Sequence, residues 1–250
     1  TYNLAVETKT MDVIKKMLSS ITTDKRIQVL ILAWGFGGFL EAVAGYGTAV
    51  AIPASILASL GFNPLFAAVI CLLANTVPTA FGALGIPVTT LANVTGLEVV
   101  HLSYVTSIQL AGFIVLIPFL LVILTEKSIK ALKGVVGITL VSGITFAVPQ
   151  VFIAKYLGAD LPALVASICS MACTILMAKA MNKEKVETKE DKIGLKEGVL
   201  AWLPYILLCG LILIASPLVP SINSLLAKAS SNIHIYTGDA TSTTSFSWIN

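Results

Sequence analysis

Glu41 is the only acidic side chain between Asp24 and Glu98, and it lies in a glycine-rich run from Gly35 to Gly47. A helix started at Ile27 carries it fourteen residues inward, roughly 21 Å at ~1.5 Å per residue. An ionised carboxylate that deep in an apolar medium is costly unless paired, so protonation or a bound cation is expected. In an ideal helix Gly37, Glu41, Gly45 and Thr48 fall near one face, a small-residue groove holding one acid. That suits a proton- or cation-coupling site. The alternative is a structural acid capped by backbone N–H groups or by a tyrosine such as Tyr46.

Around it stand residues suited to holding a small anion without a salt bridge. No Lys or Arg occurs in 27–126, and Arg26 is the sole arginine of the chain. A carboxylate there has to be held by backbone N–H groups at the start of a half-helix, where unpaired donors and the helix dipole favour negative charge. Gly45, Gly47, Gly82 and Gly85 allow the close backbone approach this needs. Tyr46, Thr48, Asn75, Thr76 and Thr79 add side-chain hydrogen-bonding groups. Any one threonine serves helix packing as readily as binding; the cluster is the signal. These nine residues are the candidate substrate contacts, and Glu41 is the candidate coupling residue.

Other chemistry finds little support. There is no nucleotide loop, nucleophile elbow or metal-ligand pair, so no enzyme activity, cofactor or metal is expected. Cys71, Cys169, Cys173 and Cys209 all lie in apolar stretches and read as space-fillers. His101 and His234 lack partner motifs and read as surface histidines. The sequon Asn93-Val94-Thr95 sits in an apolar setting, which makes it a weak modification signal. No basic stripe interleaved with aromatics points to nucleic acid.

The elements that must position these residues belong to a membrane. The chain is 56% hydrophobic and 12% charged, against about 25% charged in soluble domains, with a mean hydropathy of +0.92. From Ala42 to Leu97 run 56 residues without one Asp, Glu, Lys, Arg or His. As continuous helix they would extend ~84 Å, so they must enter and leave a hydrocarbon core of ~30 Å more than once. Half of the 18 glycines fall in 35–96, beside Pro53, Pro64, Pro78 and Pro87. That mixture predicts broken or re-entrant helices, which survive at membrane depth only where protein buries them or they line a cavity. The fold class is therefore an all-α polytopic membrane protein with broken or re-entrant helices in 27–97.

Segmentation follows from charge and hydropathy. Residues 1–26 read as a cytoplasmic amphipathic segment and 27–103 as the glycine-rich transport-site region. Membrane helices fill 104–178, with spans near 104–125, 134–153 and 161–178. A cytoplasmic loop at 179–198, a helix at 199–219 and a polar tail at 220–250 complete the chain. Lysines crowd 126–133 and 179–198 but leave only Lys155 in 154–160, which places the first two loops in the cytoplasm. An odd number of crossings must then separate Arg26 from Glu98. The chain begins at Thr1 without Met and stops after a Ser/Thr-rich run, so a fragment of a longer membrane protein is expected.

Several runs resemble the L-lactate permease family. They are Gly35 to Gly47 (GFGGFLEAVAGYG), Ala51 to Ala54 (AIPA), Leu60 to Pro64 (LGFNP) and Ala74 to Pro87 (ANTVPTAFGALGIP). Ser20 to Gln28 (SITTDKRIQ) resembles the segment that precedes them, and the likeness covers about 20–97. The resemblance implies a multi-pass plasma-membrane carrier taking up lactate, and often glycolate, with protons. Its partners would be a small monocarboxylate, protons and the lipid bilayer. Glu41 and the Asn75-Thr76 pair match family positions. A sodium-coupled organic-anion carrier is the first alternative. A passive channel is the second, although an isolated deep carboxylate without a ring of like charges suits a coupled carrier better.

Overall fold

The computed structural model describes residues 21–45 and 47–181, separate helical positions on either side (13, 16 and 17; 198, 200, 201, 203, 207, 211 and 214), and two strands near the C-terminus. Helix α1 spans Lys25–Val43. Asp24 caps it, its carboxylate accepting from the Arg26 backbone N–H at 2.9 Å. The stretch Leu30–Phe36 is π-helical and wholly buried. A helix apolar on every side must be enclosed on every side, and α1 is the inner helix of the bundle.

The helix ends at Ala44, where Gly45 (φ +56) and Gly47 (φ +90) turn the chain into α2, Thr48–Ser59. Thr48 therefore opens a new helix and does not extend the face of Gly37 and Glu41. Helix α2 runs back, and the Lys25 ammonium lies 5.2 Å above the ring of Phe62, just past its end. Asn63 caps α3, Pro64–Asn75, by accepting from the backbone N–H groups of Leu65 (3.0 Å) and Phe66 (3.2 Å). After Thr76 and Val77 comes a 3-10 turn, Pro78–Phe81, and then α4, Gly82–Thr95, bent 58° from α3.

The passage from Arg26 to Glu98 thus consists of one long helix, one short return and one broken helix. The irregular backbone falls where glycine and proline concentrate. Arg26 Nη1 donates to the carbonyls of Ala131 (2.7 Å) and Lys133 (3.2 Å). A Cβ on Gly158 would lie 3.7 Å from Val100 Cγ2. Residues 26 and 131–133 therefore share one end of the bundle, and residues 100 and 158 share the other.

Three antiparallel helices complete the described bundle: α5 (Val99–Glu126), α6 (Val136–Leu157) and α7 (Pro162–Met181). They start or end a few residues beyond the apolar spans read from sequence. Caps decide this, as where the Glu98 carboxylate accepts from the His101 N–H at 3.1 Å. With α1 they are the four described helices long and apolar enough to cross a membrane. Their packing is inverted relative to a soluble bundle. Ser103, Ser107, Thr139, Ser142, Gln150, Ser167, Ser170 and Thr174 are buried, while Phe113, Leu116, Phe152 and Leu176 face outward. Lipid tails are as apolar as leucine, so small and hydroxyl residues take the helix contacts. Ser170 Oγ donates to the Ser142 carbonyl at 2.7 Å, and Gly143 lets α6 reach the α5 backbone at Val115.

Within the span expected at 199–219 the described positions up to 214 are helical; 179 to 181 close α7, and the rest of the 179–198 loop lies outside the described residues except for helical Gly198. The segment read as a polar tail contains an antiparallel hairpin, β1 (Ser230–Thr237) and β2 (Ala240–Ser247), paired from Ser230↔Ser247 to Thr237↔Ala240. The β-branched and aromatic content of SSNIHIYT and ATSTTSFS favours strand. The all-α class holds for the membrane helices and not for this hairpin.

Candidate functional site

Two breaks in the helical backbone meet at one place. The first is the turn Ala44–Gly47 after α1, the second the passage Thr76–Gly85 between α3 and α4. A Cβ on Gly45 would come within 2.9 Å of the Ala83 Cβ, so the breaks touch backbone to backbone. Ala83 (φ 44), Leu84 (φ 61) and Gly85 (φ 74) form a left-handed run. That conformation costs about 1–2 kcal/mol for each non-glycine residue. The run is held between Gly45 on one side and the α6–α7 loop on the other, where a Cβ on Gly85 would overlap the Ala159 carbonyl and lie 2.7 Å from Ala159 Cβ.

Glu41 sits at the junction, one turn before the first break and 4% exposed. A Cβ on Gly82 would overlap Glu41 Oε1 and stand 3.1 Å from Cδ, so only glycine leaves room for the carboxyl there. The Asn75 side chain is directed at the same carboxyl. Asn75 Nδ2 also donates to Thr79 Oγ1 at 3.2 Å, and Thr79 Oγ1 donates in turn to the Asn75 carbonyl. Glu41 Oε2 and Asn75 Oδ1 are buried without a hydrogen-bond partner in the protein. Buried polar atoms are paired in the great majority of cases, so orphaned oxygens on two neighbouring side chains mark a place for an exchangeable partner.

The structure thus brings Glu41, Gly45, Asn75 and Gly82 together, with Gly85 supporting the turn from behind and Thr79, itself exposed, joined to them only through Asn75. Thr76 is separate: it is exposed, and its hydroxyl donates to the Leu73 carbonyl at 2.7 Å, closing α3. The adjacent pair Asn75-Thr76 therefore divides into one inward and one outward residue. Gly47 is exposed, with open space where a Cβ would stand. Thr48 is the first residue of α2, and Tyr46 lies outside the described residues.

Three polar residues not singled out from the sequence also face inward without partners: Trp34 Nε1, Ser107 Oγ and both polar atoms of Gln150. The signal available beforehand was an amide within an apolar span, which is rare enough in a membrane helix to be weighed.

A family model described as L-lactate permease matches residues 1–247. An L-lactate permease of Streptococcus iniae is 53% identical over 250 residues, all of this chain and 53% of that protein. One from Bacillus subtilis is 38% identical over 90% of this chain and 43% of its own length. The Escherichia coli glycolate permease GlcA is 40% identical over 75% of this chain and 33% of its own. The chain spans about half or less of the length of these relatives. No solved structure matches it. A family model running almost end to end, over the same glycine-rich breaks that enclose Glu41, makes this chain a member of the L-lactate permease family.

Proposed function

We propose that the protein imports L-lactate and related 2-hydroxy monocarboxylates such as glycolate across the plasma membrane, and that it does so by proton symport. Glu41 carries the coupling proton. The observation behind this reading is the buried carboxyl at the meeting point of two helix breaks, with one oxygen free of any protein partner. The names of the relatives supply the substrate class.

A protonated Glu41 donates one hydrogen bond and carries no charge, which lets an anion approach a site without lysine or arginine. The anion is held by the backbone at the glycine turns and by Asn75 and Thr79. One proton moving with one anion leaves the loaded site electroneutral, so loaded passage avoids ~2.3 kcal/mol per charge per 100 mV. Return of the empty site requires release of both.

Uptake of labelled lactate by the full-length protein tests this, with and without a protonophore and with choline in place of sodium. Accumulation abolished by the protonophore and indifferent to sodium is expected. Loss of uptake on sodium replacement at constant pH refutes proton coupling.

A further inference from the structure

Gln150 is 0% exposed, yet neither its amide nitrogen nor its amide oxygen has a hydrogen-bond partner in the protein. Ser107 is likewise 0% exposed with an orphaned hydroxyl. Helix register brings the two to one level. Helices α5 and α6 are antiparallel, and a Cβ on Gly143 would lie 3.3 Å from the Ile114 carbonyl. Seven residues onward in α6 is Gln150, and seven residues back in α5 is Ser107. Seven residues are two turns and return to nearly the same helix face.

The same register reaches Glu41. Phe146 packs its ring edge 3.0 Å from where a Cβ on Gly38 would stand, and its ring centroid is 4.9 Å from that of Trp34. Helix α1 runs antiparallel to α7, since Gly35 meets Met171 and Gly38 meets Ser167. Because α7 is also antiparallel to α6, α1 and α6 run the same way. One turn beyond Gly38 is Glu41, and one turn beyond Phe146 is Gln150. The orphaned polar atoms of Glu41, Gln150 and Ser107 therefore share one depth in the bundle.

We propose that Gln150 and Ser107 bind the 2-hydroxyl group of the substrate, opposite the Glu41 end of the site. This rests on the transport reading given above. The chemistry of the donor set selects a hydroxyl over a carboxylate. A carboxylate offers only acceptors and would leave the Gln150 amide oxygen facing negative charge. A hydroxyl donates to that oxygen while accepting from Ser107, so it satisfies the orphaned acceptor as well as a donor, which a carboxylate cannot do. Neither residue is charged, which suits a neutral group. A site built to bond a hydroxyl strongly disfavours the analogue that lacks it, because its own buried polar groups are then left unpaired.

The test is competition for labelled-lactate uptake in the full-length protein by unlabelled lactate and by propionate, which is lactate without the hydroxyl. Gln150→Met keeps the bulk of the side chain and removes both polar atoms. The expected result is a rise of roughly ten-fold or more in the lactate inhibition constant with little change for propionate. Ser107→Ala, which removes a single oxygen, should shift the same ratio in the same direction and serves if Gln150→Met does not reach the membrane. Equal shifts for both acids, or no shift in either variant, overturn the assignment. If the unaltered protein takes up no lactate at all, it is the transport reading that fails.

Discussion

Replacing Gly82 by alanine is the sharpest probe of the junction, because the backbone contributes nothing to the expected loss. Gly82 has φ −67 and ψ 158, which alanine adopts without strain. The whole effect must come from the added methyl, which would overlap Glu41 Oε1 and stand 3.1 Å from Cδ and 3.2 Å from Cγ. Relaxed carbon contacts lie at about 3.5–4.0 Å. The carboxyl must therefore move, or α1 and α4 must separate. Over-packing of this kind costs about 1–3 kcal/mol, which corresponds to roughly five- to 150-fold in an equilibrium at 1.4 kcal/mol per factor of ten. Glu41→Asp withdraws the carboxyl by one methylene and should make room for the methyl. Thermal unfolding of the purified protein in detergent, measured for both single variants and the double variant, gives the coupling directly. Gly82→Ala should be clearly destabilising beside Glu41 and nearly neutral in the Glu41→Asp background. An equal cost in both backgrounds would falsify the contact between Gly82 and the carboxyl. A parallel Gly47→Ala variant controls for backbone effects, since Gly47 has φ +90 and open space around it.

Glu41→Gln should abolish pH-driven lactate accumulation while leaving lactate–lactate exchange, which does not require proton release; unchanged pH-dependent accumulation would make Glu41 structural. For topology, single cysteines at Lys189 and Tyr156 in a cysteine-free background should label from outside only at position 156. Ala159, in the loop just past α6, is 1% exposed and unsuited to the assay, whereas Tyr156, in the last turn of α6, is 60% exposed. The two carboxylates near the helix ends should respond to pH in opposite ways. Burial pushes the Asp24 carboxyl up, but its bonds to the Arg26 side chain and backbone N–H outweigh this and hold it below 3.8. Its stabilisation is thus present above pH 3.8 and lost as pH falls through the lower folded value, and Asp24→Asn should flatten that acid limb in a melting series. Burial pushes the Asp160 carboxyl above 3.8. Ionisation there opposes folding above its raised value, so Asp160→Asn should increase the melting temperature at neutral pH, with the gain vanishing below about pH 4.

Much of this protein is determined by composition alone. Fifty-six residues without one Asp, Glu, Lys, Arg or His, from Ala42 to Leu97, have no stable home outside a membrane or a very large core. Hydropathy suffices to place α5, α6 and α7, because lipid acts on each helix separately and asks only for length and apolarity. Glycine and proline between 35 and 96 are enough to predict that the regular pattern breaks there. The glutamate is conspicuous because nothing else in that stretch carries charge.

What linear reading leaves open is which residues face one another. Periodicity assigned Thr48 to the face of Glu41, but the helix stops at Ala44, because Gly45 and Gly47 adopt positive φ that no helical count anticipates. Asn75 and Thr76 are neighbours in sequence and opposites in space, since the last turn of α3 uses the Thr76 hydroxyl as its own cap. Gly82 acquires its meaning only when α4 folds back onto α1, and the support behind Gly85 comes from a loop more than seventy residues away. Gln150 carries no signal in the sequence beyond an amide in an apolar span, and only the register of α5, α6 and α1 puts it at one level with Ser107 and Glu41. Lipid and helix propensity decide where a helix exists. Which of its faces meets a partner is decided by close packing between helices, where a single missing Cβ at residues 35, 38, 45, 82 or 143 allows the contact.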